Sequence, residues 1–277
     1  MKEEYKLIFL TLLVRLGLGT LVVYLTTSFI GPTVSEAGVA LTALVVTASG
    51  LGLSLFHIGR PVRILNTFAN RRSSMSWEAI LAPPLLIVIF ALACLSYLFP
   101  NNPFLFIPRA LVLILAMAFI FVTGKVYHLR ARPSWSTPLV LYEYFTSAAI
   151  LGLLGFAFIL VVSGTMTENI GRAIGVLLIP LLAGESIITF SYRNRAMNVT
   201  PTARQSLASP KTKKLYFLFV LVGLVVPAGL AVFLVFGVGM PRVVPAAFIA
   251  FLLGAVWWRV LFFRSATLIK ITPDIAI

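Results

Sequence analysis

His57 and Glu78 are the two residues whose types and spacing best suit proton transfer in this sequence. They bracket the densest polar cluster of the protein, Leu55-Phe56-His57-Ile58-Gly59-Arg60-Pro61-Val62-Arg63 continuing to Ser76-Trp77-Glu78. A helix reaching His57 cannot readily continue through Gly59 and Pro61, so the backbone turns there. His57 then sits in the last turn of one helix, where the helix C-terminus favours the imidazolium. Glu78 opens the next helix, where the N-terminus favours a carboxylate. A histidine titrating near neutral pH beside a carboxylate is able to take and give protons. The same residues also suit a simple interfacial anchor, with Arg and His reaching for headgroups and Glu78 capping a helix.

Three further ionisable residues lie inside apolar runs: Arg15, Glu143 and Glu185. Each costs about 2.5–3.5 kcal/mol at the centre of a membrane helix and therefore needs a partner or a wet cavity. Arg15 paired with Glu143 or with Glu185 is the expected ion pair, which would fix helix packing or line a proton path.

Other chemistries lack their ligands. Membrane haems often take histidine pairs, and the protein has only His57 and His128. A single cysteine, Cys94, rules out an iron–sulfur cluster held by this protein alone and an intrachain disulfide. No glycine-rich phosphate loop, HExxH or paired-cysteine zinc spacing occurs. No haem, cluster or metal site is expected.

The elements that must position these residues follow from composition. Of 277 residues, 60% are hydrophobic and 11% charged, with a mean hydropathy of +1.04. Ordinary soluble domains are about 45–50% apolar and about 25% charged. A membrane helix needs about 20 apolar residues, and eight runs qualify: 7–30, 37–56, 79–99, 106–127, 138–163, 170–192, 215–237 and 242–264. The runs are continuous rather than alternating, which excludes a transmembrane barrel. The expected fold is an all-α integral membrane protein of eight spans, forming one membrane domain. Two four-helix halves, 1–130 and 138–277, are expected on either side of Arg132-Pro133-Ser134-Trp135. The first run is too long for a signal peptide and reads as a retained span. No connection between spans is long enough for a folded extramembrane domain.

Charge orients the bundle. Eight spans place both termini and the loops 57–78, 128–137 and 193–214 on one side. Counting helix ends, that side holds all of the 22 Lys and Arg residues except Arg109, Arg172 and Arg242. Basic short loops stay cytoplasmic, so both termini are expected inside. The net charge of +14 thus needs no nucleic acid. The dense run Arg193 to Lys214 also suits anionic lipid headgroups or an acidic partner face.

The stretch His57 to Asn66, followed by Ser74-Met75-Ser76-Trp77-Glu78-Ala79-Ile80, resembles the signature of the membrane-anchor subunits of the dimethyl sulfoxide reductase family. A second patch, Val126-Tyr127-His128 through Pro133-Ser134-Trp135-Ser136-Thr137-Pro138, is similar to that family's segment after the fourth span. The related anchors of polysulfide and sulfite molybdoenzymes belong to the same circle.

The resemblance implies a haem-free anchor in a bacterial or archaeal inner membrane. Such an anchor exchanges electrons with quinone, menaquinol included, and holds an iron–sulfur subunit that relays to a molybdopterin catalytic subunit. These partners would dock on the basic face. The family's quinol-site histidine and glutamate match His57 and Glu78 here, with Arg60, Arg63 and Trp77 as candidate quinone contacts. His57 would take a hydroxyl hydrogen bond from the quinol, and Arg60 and Arg63 would stabilise negative charge on the ring. Quinol oxidation is the expected direction. A sulfite-oxidising relative facing the cytoplasm runs electrons into quinone, which makes the reverse direction the alternative. From a different class, a transporter would use Arg15, Glu143 and Glu185 to line its path.

Overall fold

The computed structural model describes residues 4–28, 34–55, 73–100, 102–129 and 132–266. His57, Arg60 and Arg63 lie outside them. Among the described residues all regular structure is helical. The elements are α1 (Glu4–Thr27), α2 (Glu36–Leu55), α3 (Ser74–Leu98), a 3-10 turn (Pro103–Leu105) leading into α4 (Phe106–Val126), α5 (Leu139–Val162), α6 (Glu168–Val199), α7 (Pro201–Ala208), α8 (Pro210–Leu218), a π-helical segment (Phe219–Val225), α9 (Val226–Val235) and α10 (Met240–Arg264). Among the described residues, eight helical stretches are long and apolar enough to cross a membrane, with α8, the π segment and α9 together making the seventh. The protein is an all-α integral membrane protein.

Two boundaries differ from those read in the sequence. Residues 193–214, expected as a loop, are almost wholly helical: α6 runs on to Val199, and α7 and α8 follow. Hydropathy marks only what lipid covers, whereas Arg, Asn, Lys and Gln are all compatible with helix outside it. Local signals for these helices exist, since Thr200-Pro201 and Ser209-Pro210 each pair a capping hydroxyl with proline at the first helical position. Thr200 accepts from the Ala203 amide at 3.2 Å and Ser209 from the Thr212 amide at 3.4 Å. The second difference is at Glu78. Rather than opening its helix, it stands one turn inside α3, which already begins at Ser74.

Burial divides the spans into a centre and a rim. About two-thirds of α1 and three-fifths of α5 are buried, and half of α10, against roughly a third or less of each of the others. On the rim, side chains such as Ile87, Ile114, Ile187 and Phe233 stay exposed, as expected for helices facing lipid. Small residues let the central helices meet backbone to backbone. A Cβ on Gly152 of α5 would fall on the Gly19 backbone of α1. Likewise a Cβ on Gly223 would stand 2.7 Å from the Gly254 Cα of α10. The π segment holding Gly223 precedes Pro227, which has no N–H to return to the Gly223 carbonyl.

Candidate functional site

Glu78 projects from the first turns of α3 toward the last turns of α4, where its carboxylate accepts a hydrogen bond from the Thr123 hydroxyl at 3.1 Å. Thr123 is 3% exposed and Glu78 is half-buried. The acid therefore sits at an edge of the bundle, with one oxygen held by a neutral donor and no Arg or Lys bonded to it among the described residues. Trp77, its neighbour in sequence, is exposed instead. Successive helical residues point about 100° apart, so the two side chains serve different surfaces.

The segment between α4 and α5 packs against the same end. Trp135 is buried, donates from its indole N–H to the Phe262 carbonyl at 3.2 Å and stacks on the Phe262 ring at 4.8 Å. Ser134 donates to the Ser265 carbonyl at 2.7 Å. His128, the second histidine, donates from Nδ1 to the Thr137 carbonyl at 3.1 Å, a bond that closes the turn. Tyr127 meets Trp135 edge-on at 5.6 Å and stacks on Tyr144 at 5.8 Å. Glu78 lies near enough to both tyrosines to interact with them electrostatically.

Beneath this aromatic layer lies a buried ionic cluster. Arg15 Nη1 bonds Glu143 Oε1 at 3.0 Å, and Arg259 Nη2 bonds Glu143 Oε2 at 2.6 Å. Arg15 also donates to the Thr11 carbonyl at 2.8 Å and to the Ser147 hydroxyl, and Ser147 in turn donates to the Glu143 carbonyl at 2.6 Å. Both guanidiniums lie over the Tyr144 ring, at 4.8 Å for Arg15 and 4.2 Å for Arg259. Of the two acids expected as partners for Arg15, Glu143 takes the bond. Glu185 is buried close by, within electrostatic reach of Glu143, Arg15 and Arg259. These charges close on one another at the junction of α1, α5 and α10.

Sequence reasoning missed Arg259. It stands five residues before the end of α10 in Trp257-Trp258-Arg259-Val260-Leu261-Phe262-Phe263-Arg264, a pattern that reads as an interfacial belt. The usable signal is that Arg259 lies a full turn deeper than Arg264.

The two ends of the bundle differ in charge. At the end holding Glu78 and Trp135, the exposed residues Arg195, Arg204, Lys211, Lys213 and Lys214 form a basic surface. Toward the other end, Arg109 makes a two-pronged bond to Glu36 at 2.7 and 2.6 Å, and Arg172 pairs with Glu168. Two of the three cations there are therefore neutralised.

An apolar cleft of about 350 Å³ opens between α1, α4, α5 and α6, lined by residues including Gly19, Val22, Met117, Ile120, Phe145 and Thr146. Ile120 lies one turn from Thr123 on α4. Among the described residues, no three His, Cys, Asp or Glu side chains come together as a metal site would need.

The profile of the DMSO reductase anchor subunit (DmsC) family matches residues 1–264. The protein belongs to that family. It is also 28% identical to the C subunit of the sulfite dehydrogenase of Allochromatium vinosum over 128 residues, or 42% of this protein and 39% of that one. To the C subunit of the anaerobic dimethyl sulfoxide reductase of Haemophilus influenzae it is 23% identical over 114 residues, 40% of this protein and 41% of the relative. The matches thus span about two-fifths of the length of these curated relatives. Both family-like patches read in the sequence, around Glu78 and around Trp135, fall within the matched range and at the same end of the bundle.

Proposed function

We propose that this protein anchors a molybdoenzyme complex in a bacterial or archaeal inner membrane and exchanges electrons between the quinone pool, menaquinol included, and an iron–sulfur subunit docked on its basic face. That subunit would pass electrons to a molybdopterin catalytic subunit. The observation carrying this reading is Glu78: an acid held by one neutral hydroxyl at the basic end of the bundle, inside the stretch that resembles the family's quinol site. In this reading the apolar cleft, which reaches Ile120 one turn from Thr123, holds the quinol's apolar tail.

In this reading a quinol would be oxidised to quinone, its two electrons leaving one at a time to the docked iron–sulfur subunit. Its two hydroxyl protons pass to His57 and Glu78 and then to water at the basic face, so charge and atoms balance. Arg60 and Arg63 stabilise negative charge on the ring, and Trp77, turned about 100° from Glu78, would meet the quinone only on its way in along the exposed side of α3. In the purified complex, His57→Ala and Glu78→Gln should each remove most quinol-analogue oxidation while dye-driven turnover of the catalytic subunit stays at the wild-type level. Wild-type quinol kinetics in both variants would sink the assignment.

The likeness to a sulfite dehydrogenase subunit favours a second reading, in which electrons run from the catalytic subunit into quinone. Supplying sulfite and a quinone analogue, and following quinone reduction, separates the two directions. Both termini and the basic face are proposed to be cytoplasmic. Reporter fusions at the two ends test this, and an outward C-terminus would overturn it.

A further inference from the structure

The carboxylate of Glu143 is fully engaged, one oxygen on each guanidinium. Around it, five buried polar atoms have no hydrogen-bond partner among the described residues: Arg15 Nη2, Arg259 Nε and Nη1, the Tyr144 hydroxyl and Glu185 Oε2. They come from α1, α10, α5 and α6. Buried groups of this kind are nearly always satisfied, by protein or by internal water. Three of the five are N–H donors, one is a carboxyl oxygen, and a phenol does both. Internal water needs two to four such partners, and this set supplies both donors and acceptors.

The charge count singles out Glu185. Two guanidiniums face Glu143 alone as a bonded anion, leaving one positive charge uncompensated. An ionised Glu185 neutralises the cluster, and a protonated Glu185 leaves it cationic, yet neither state breaks a bond that holds the helices together. The groups within reach of Glu185 are Glu143 and Thr146 on α5, Arg15 on α1 and Arg259 on α10, and Tyr144, under both guanidiniums, completes the cluster. Of the other elements packed on α6, α9 and the π segment carry no titratable side chain, and the one on α7, Arg204, is exposed at the basic surface.

We propose that Glu185, Tyr144 and the free N–H groups of Arg15 and Arg259 enclose buried water, and that Glu185 takes up and releases one proton through it. The bundle then has a proton-holding site within the membrane, separated from Glu78 by the Tyr127–Tyr144 stack. The step is a proton exchange between carboxylate and water, with no electron transferred and no bond made to carbon.

Infrared difference spectroscopy on the purified complex in lipid nanodiscs, stepped in pH in light and heavy water, tests this without any quinone or electron donor. A buried protonated-carboxyl stretching band should grow as pH falls and shift in heavy water. It should disappear in Glu185→Gln while persisting in Glu78→Gln. Glu185→Asp, if the glutamine variant fails to assemble, should move the band rather than abolish it. A band indifferent to both Glu185 variants, or no such band in the wild type, overturns the proposal. An electron cryomicroscopy map that resolves water elsewhere should show density bridging Glu185 and Arg259. A dry contact there overturns the water-linked route.

Discussion

Replacing Glu143 by Gln changes the charge of the cluster by one unit and its volume hardly at all. Two ion pairs, at 3.0 and 2.6 Å, are lost together. The guanidiniums left behind, with side chains 2% and 0% exposed, cannot shed their charge or reach bulk water. Removing one partner of a buried pair costs about 3–5 kcal/mol, because an uncompensated charge stays in a medium of low dielectric. At about 2–4 °C per kcal/mol for proteins of this order of size, the unfolding midpoint should fall by about 6–20 °C. Intrinsic fluorescence during heating in detergent reads this directly, since Trp258 and Trp135 are buried beside the cluster. The charge origin is checked by the triple variant Arg15→Met/Glu143→Leu/Arg259→Met, which should recover most of the loss because apolar replacement of a whole buried ion group is often neutral. A midpoint for Glu143→Gln within about 2 °C of wild type, less than one kcal/mol on the same scale, would refute the view that this carboxylate holds the two arginines.

Two other substitutions test what holds the central helices and the linker. Gly152→Val should push α1 off α5, because even one Cβ there meets the Gly19 backbone. The folded peak in size-exclusion chromatography should be lost, whereas Gly52→Val, whose Cβ meets nothing among the described residues, should keep it. Trp135→Ala removes a buried stacked indole and its bond to Phe262, costing about 3–5 kcal/mol. The expected result is a lower midpoint with unchanged span topology by protease mapping, and an unshifted midpoint would contradict the packing.

The span count is legible because crossing a bilayer depends on length and local hydropathy, quantities that need no partner helix. The turn expected at Gly59 and Pro61 lies outside the described residues. Glu78 stands out as a carboxylate where an apolar run begins. Its bond to Thr123 does not, since 45 residues separate the two and nothing local ties them. Arg259 is hidden for a related reason. An arginine near the end of an apolar helix reaches either headgroups or a buried acid, and the choice depends on which way the helix is turned.

By itself, then, the sequence determined an eight-span helical membrane protein, its charged end and the acid at that end. Hydropathy and charge act residue by residue, so a linear string carries them. Which helices form the centre, which acid Arg15 bonds and where Glu185 Oε2 is left unbonded among the described residues were decided by tertiary structure alone. A helix in lipid is apolar all round and has no polar stripe to mark its outer face. The close approaches at Gly19–Gly152 and Gly223–Gly254, and the requirement that buried charges find each other, fix how α1, α5, α10 and the π segment are turned.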